Sequence, residues 1–465
     1  MTGMYDLAVV GGKTLTPAGW RRLDVAVRGG RIAALARLSR RQRHLCRQVL
    51  DARDCLVLPG AIDPHVHLSL TIGPGMTTAD DFSSGTRAAA AAGITTIIDY
   101  TTPEPGQSPL SAFRARRRLA DARVNCDYSL HNVLIEFRPG WRRHLARLVE
   151  LGAPSVKLFL IYDERGWRSD DARLVEIMEL GRRLGLVTCV HAENNDLIRL
   201  FTARAGKRVR GAAALAAARP PLAEEEAVQR AILLAEYCRS RLHLVHLSCA
   251  GSAAAVAAAR RRGVPVSGET CPQYLALDGS RLRRSDGHLW GCCPPLRGRG
   301  QQAGLLRALA RGWLQALATD HCAFTRAQKD SWGGDFTRIP YGLAGLETSL
   351  AVTHTLGPVA GVMSSSQWAR LHGEGPARLF GLWPRKGRLA PGADADILVW
   401  DPRLRWRVRP QALETSIDWN PYQGRLLQGR ARLVVLRGVL LARQGRFCGP
   451  SGGGRFQKRR PGRGS

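Results

Sequence analysis

The stretch Cys55-Leu56-Val57-Leu58-Pro59-Gly60-Ala61-Ile62-Asp63-Pro64-His65-Val66-His67 joins an apolar run to a pair of imidazoles. Along a β-strand, residues two apart share a face, so His65 and His67 project toward one point at the strand's end. Two imidazoles converging from a buried strand form half of a metal site, provided that other strands deliver the remaining ligands. A His-x-His pair also arises by chance, so its meaning depends on the rest of the chain.

Beyond His67 the chain has a regular rhythm. Apolar, β-branched runs at 55–68, 94–100, 124–134, 155–162, 186–191, 242–247, 264–270 and 314–320 each end in polar residues. Between them lie amphipathic stretches at 80–92, 109–122, 141–151, 170–184, 221–240, 252–262 and 300–311. Strands alternating with helices imply a parallel sheet, and eight strands close into a (β/α)8 barrel. Both ends of the chain read differently. Residues 1–54 and 386–447 hold short alternating strands broken by Gly-rich turns, which predicts one small β-sandwich domain built from both termini around a barrel at 55–385. Residues 448–465 are mostly Gly, Arg and Pro, and predict a flexible basic tail.

Catalytic groups in a barrel of this kind sit at the C-terminal ends of the strands. The first strand ends in His65 and His67, the fifth in His191, the sixth in His246 and the eighth in Asp320, while the fourth carries Lys157 between Val156 and Leu158. Singly, each has an ordinary explanation. A strand-end His is more often a satisfied core residue, a lysine extends its stem to solvent or pairs, and an aspartate caps a turn. Four histidines, a lysine in an apolar strand and an aspartate at corresponding strand ends are together hard to assign to chance. A neutral lysine adds carbon dioxide to give a carbamate, whose two oxygens bridge two divalent metal ions about 3.5–4 Å apart with a shared hydroxide. His65 and His67 would serve one ion and His191 and His246 the other, with carboxylated Lys157 between. Asp320 would ligate and carry the proton of the attacking water to a leaving nitrogen. Imidazole donors favour Zn²⁺.

With these residues in place, the chain resembles the hydantoinase/dihydropyrimidinase family of the amidohydrolase superfamily. The matching segments include Asp63 to Leu68, Asp80-Asp81-Phe82, Ser155 to Tyr162, Val190 to Asn194, Val245 to Ser248, Gly268 to Tyr274, Cys293 to Arg297 and Thr319 to Cys322. The resemblance implies a hydrolase that opens the ring amide of hydantoins or dihydropyrimidines to N-carbamoyl amino acids. It also implies that Tyr162 stabilises the oxyanion, that main-chain groups at Cys293 and Tyr341 hold the substrate amide, and that the enzyme is a homotetramer. Family members commonly carry serine and asparagine where this chain has Cys293 and Tyr341. Dihydroorotase resembles His-x-His-x-Arg, whose arginine pairs with a ring carboxylate; Ser69 stands there, which points to a neutral cyclic ureide or imide. Allantoinase is the runner-up. A non-catalytic dihydropyrimidinase-like scaffold protein is disfavoured because every metal ligand is present.

Composition excludes less. The net charge of +31 comes almost wholly from arginine, since lysine occurs at only six positions, and the arginines are spread along helices rather than gathered with aromatics. That pattern predicts a solvated surface and no specific nucleic-acid partner. No apolar run is long enough to span a bilayer, the first residues lack a secretory pattern, and eleven cysteines without a Cys-x-x-Cys pair fit reduced thiols; the expectation is a cytoplasmic protein with no membrane partner.

Overall fold

Eight parallel strands succeed one another around a barrel in chain order: Ala61–Val66, Ile94–Thr101, Asp127–Val133, Ser155–Phe159, Val187–His191, Leu242–Leu244, Val266–Thr270 and Ala316–Leu317. The computed structural model describes residues 5–462. The ring closes where Val66 bridges in parallel to His321 and the His67 amide donates to the His321 carbonyl at 2.8 Å. Barrel strands are buried on both faces, which is why they read as unbroken apolar runs rather than alternating ones. The helices between them bury one side. Phe82–Ala92, for example, starts at Asp81, whose carboxylate accepts from the Ser83 and Ser84 amides, and its alanine-rich face is buried against the barrel.

The termini build two further sheets. One has four strands from the first 51 residues, and the other has seven, drawn from both ends of the chain. They face each other across a core that includes Leu7, Val25, Ile32, Val57, Ile397 and Val435.

Two expectations need correction. The apolar run at 55–68 is not one barrel strand, and the 54/55 boundary falls too early. Leu56–Pro59 pairs with Ile397–Arg407 and Lys13–Thr16 in the terminal sheet, and the barrel begins at Ala61. The break is Gly60, where a Cβ would lie 2.3 Å from the Thr95 hydroxyl oxygen. Both halves are buried, so hydrophobicity does not mark the joint.

The tail is also not loose. Phe456 bridges to Tyr128, and the Gln457 amide donates to the Tyr128 carbonyl at 2.6 Å. Arg459, only 3% exposed, donates through Nε to Ser129 Oγ and through Nη2 to Ser155 Oγ. Its glycines permit close approach: a Cβ on Gly454 would stand 2.0 Å from the Cys126 carbonyl. Residues 463–465 of the tail, and Met1–Met4 of the segment read for a leader, lie outside the described residues. Among the described residues, the eleven cysteines are unpaired and no helix is long and apolar enough to cross a membrane.

Candidate metal centre and active site

The nine residues singled out from the sequence, His65, His67, Lys157, Tyr162, His191, His246, Cys293, Asp320 and Tyr341, line one cavity at the C-terminal mouth of the barrel. Within it His65, His67 and Asp320 converge most tightly. His65 Nε2 and His67 Nε2 are 3.2 Å apart, and each lies 3.2 Å from Asp320 Oδ1. The His191 and His246 rings are 4.6 Å apart by centroid, and His246 lies 5.3 Å from His65. Lys157 Nζ sits 5.4 Å from the Tyr100 and Phe159 ring centres, with no carboxylate ion-pair partner among the described residues.

Backbone conformation places several of these groups. Tyr162, His246 and Asp320 all adopt left-handed backbone, at φ 73°, 39° and 49°. Such conformations are disfavoured for residues with a Cβ and concentrate where the surrounding structure holds a side chain to a task. Asp320 is held by Asp63, whose carboxylate accepts from the Thr319 amide at 3.1 Å and the Thr319 hydroxyl at 2.6 Å. The turn after His67 is pinned by Asp99, which accepts from the Leu68 amide at 2.8 Å and from Arg116 Nε at 2.8 Å.

Three supporting groups were not legible as such in the sequence. Glu269 receives His65 Nδ1 at 2.6 Å, which turns His65 Nε2 toward the cavity. Glu193 plays the same part for His191, meeting its Nε2 at 2.7 Å and leaving Nδ1 for the cavity; Arg219 neutralises Glu193 at 2.6 Å. Tyr100 stacks on His67 at 4.9 Å and fills the space between the first two strands. Glu269 and Tyr100 reach His65 and His67 from other strands, so only the closed barrel reveals them.

Protonation suits cation binding. Burial pulls the Lys157 ammonium down to about 8, so a neutral amine is accessible near physiological pH. Burial pushes Asp320 up, but the charge of His65 and the hydrogen bonds from His65 and His67 outweigh it and hold the carboxyl well below its usual range. Burial lowers His67, His191 and His246, which favours the neutral imidazoles that bind metal. His246 Nδ1 is buried without a hydrogen-bond partner. An orphan nitrogen on a ring 5.3 Å from that of His65, in a cavity where His65, His67 and an ionised Asp320 converge, fits a divalent cation.

Residues 56–440 match the model of the amidohydrolase family, and the chain belongs to that family. This family implies a divalent-metal site, for which the grouped donors are available. The chain is 35% identical to D-hydantoinase of Geobacillus stearothermophilus over 94% of its own length and 93% of the relative's. It is also 35% identical to D-hydantoinase of Streptomyces coelicolor, with 97% of each chain covered. The crystal structure of dihydropyrimidinase from Brevibacillus agri superposes with a TM-score of 0.94 at 34% identity, covering 98% of this chain and 99% of that one. Within the amidohydrolases the chain therefore falls in the hydantoinase/dihydropyrimidinase branch.

Proposed function

We propose that this chain opens the ring amide of hydantoins or dihydropyrimidines to N-carbamoyl amino acids, with His65, His67, Lys157, His191, His246 and Asp320 holding two divalent cations. The observation that carries the reading is the convergence of all six groups on one cavity, with Asp320 Oδ1 at 3.2 Å from two imidazole nitrogens. The hydantoinase and dihydropyrimidinase names of its relatives supply the class of bond, a cyclic amide C–N bond.

Lys157 fits the carboxylated state because its amine is depressed by burial, lies against the Tyr100 and Phe159 rings and has no carboxylate ion-pair partner among the described residues. The mixture of imidazole and carboxylate donors suits Zn²⁺. Two such ions, when bound, would lower the pKa of water and polarise the substrate carbonyl.

The chain's own groups divide the remaining work. Asp320, ionised and acceptor-only, takes the proton of the attacking water and returns it to the departing ring nitrogen. Tyr162 keeps its hydroxyl proton, because burial raises its pKa well above the usual value, and donates to the oxyanion as it forms. The Cys293 thiol lies against the Tyr162 hydroxyl, so a cysteine where serine is common still leaves the main-chain contacts to the substrate amide in place. The Tyr341 hydroxyl donates to the Phe336 carbonyl at 3.0 Å, which leaves main-chain atoms as its contribution to the substrate. By resemblance the working form is a homotetramer, and the eleven unpaired cysteines favour a reducing cytoplasm. A panel of metal-loaded assays with hydantoin, dihydrouracil, allantoin and dihydroorotate tests the reading: the first two rings open, and a preference for allantoin or dihydroorotate contradicts it.

A further inference from the structure

The cavity changes character from floor to mouth. His65 and His246 at its floor are almost fully buried, whereas Ile72 and Trp167 are half-exposed and Arg165 is exposed at the rim. Arg165 closes the short turn Asp163–Arg165, and its guanidinium lies 5.5 Å from the Tyr162 ring centre and 5.6 Å from that of Trp167. Two aromatic faces thus hold a planar cation at the entrance, an arrangement that orders an arginine before any ligand arrives.

Its neighbours are neutralised and it is not. Arg219, which lies 5.5 Å from the same Tyr162 ring, is paired with Glu193 at 2.6 Å. Arg168 pairs with Asp196 and Arg199 with Asp163, each at 3.2 Å. Arg165 reaches only Glu164, its chain neighbour, at 4.0 Å, and that carboxylate is itself 63% exposed. Among the described residues its guanidinium makes no hydrogen bond to the protein, and the one carboxylate lining the cavity is Asp320, already engaged with the histidines. A fork of free N–H donors over an otherwise apolar rim is the recognition chemistry for a carboxylate.

We propose that Arg165 selects substrates whose exocyclic substituent ends in a carboxylate, so that the natural substrate class is a neutral cyclic ureide bearing an acidic side chain. The inference rests on the ring-opening reading above and sharpens it. Ser69 leaves the ring itself without an anionic anchor, and Arg165 moves the charge recognition outward to the substituent. Because the side chain of Arg165 is 37% exposed, the contact is partly screened and weakens with salt.

The test compares a hydantoin carrying a carboxyethyl group on its ring carbon with the carbamoylethyl amide of the same shape. Metal-loaded wild-type protein should favour the acid in kcat/KM by about tenfold or more at low salt. That preference should shrink as salt is raised, fall toward parity in Arg165→Gln and reverse in Arg165→Glu. Parity in the wild type, or an undiminished preference in Arg165→Gln, overturns the proposal. If neither ring is opened, the ring-opening reading fails, and calorimetric binding of the same two compounds then decides this one. Tighter binding of the acid, lost in Arg165→Gln, sustains it; equal binding, or none, overturns it.

Discussion

The imidazole of His65 is held from behind. Nδ1 meets Glu269 at 2.6 Å, both side chains are buried, and Nε2 is left facing Asp320 and His67. A carboxylate placed so fixes the tautomer and orientation of a ligand and raises its basicity. Replacing Glu269 with Gln keeps the shape and removes the charge. The expected result is a loss of about 10–100-fold in metal affinity, read by competition with a chelator, with the fold intact by circular dichroism. Unchanged affinity would mean that His65 is oriented by packing against Tyr100 alone. At this scale the sequence singled out the candidate ligands and hid the groups that hold them. A histidine at the polar end of an apolar run is a visible anomaly. Glu269 stands inside the seventh strand, 204 residues from its partner, and although it falls in the matching segment Gly268 to Tyr274, nothing in that segment ties it to His65.

Among the elements, the joint between barrel and terminal sheets is built around the buried Lys386, with Arg437 and Arg385 at the edges of the cluster. Lys386 Nζ lies 2.7 Å from Asp127 at the start of the third barrel strand, 2.5 Å from Asp396 and 3.4 Å from Asp394. Those three aspartates lie close enough together to hold a metal ion, and the ammonium occupies that role instead. Burial disfavours the charge, but the carboxylates outweigh it and raise the lysine further. Removing the lysine leaves the buried Asp396 without an ion-pair partner among the described residues, while Asp127 keeps Arg437 and Asp394 keeps Arg385, so Lys386→Met should cost about 3 kcal/mol in denaturant unfolding. A loss below about 1 kcal/mol would show that the joint does not depend on this cluster. The elements themselves were readable wherever burial on both faces produced a continuous apolar run bounded by polar residues. The failures have one cause: hydrophobicity reports burial and not partnership. The run through Gly60 is buried throughout yet serves two sheets, and the sixth and eighth strands end earlier than their apolar runs, at Leu244 and Leu317.

At the scale of the whole molecule, the C-terminal segment is a structural member despite a composition typical of disorder. It packs Phe456 between Phe113 and Tyr128, then inserts Arg459 beside Ser129 on the third barrel strand and Ser155 on the fourth, the strand that carries Lys157. Composition could not reveal this, because one inserted arginine and a few glycines at close approach carry little weight in an average. Truncation after Cys448 should therefore lower stability by at least about 2 kcal/mol in denaturant unfolding, since it strips buried hydrogen bonds and an aromatic contact. A truncated chain as stable as the full one would contradict the packing described here. We propose that one cavity assembles a two-metal centre bridged through Lys157 for opening a cyclic amide. The measurement that tests it most directly is metal content by mass spectrometry paired with hydantoin ring opening, on wild type and Lys157→Ala. The account predicts about two divalent ions per chain and ring opening in the wild type, and loss of both in the variant. Ring opening in Lys157→Ala equal to that of the wild type, or full activity after the metal is stripped, would contradict it.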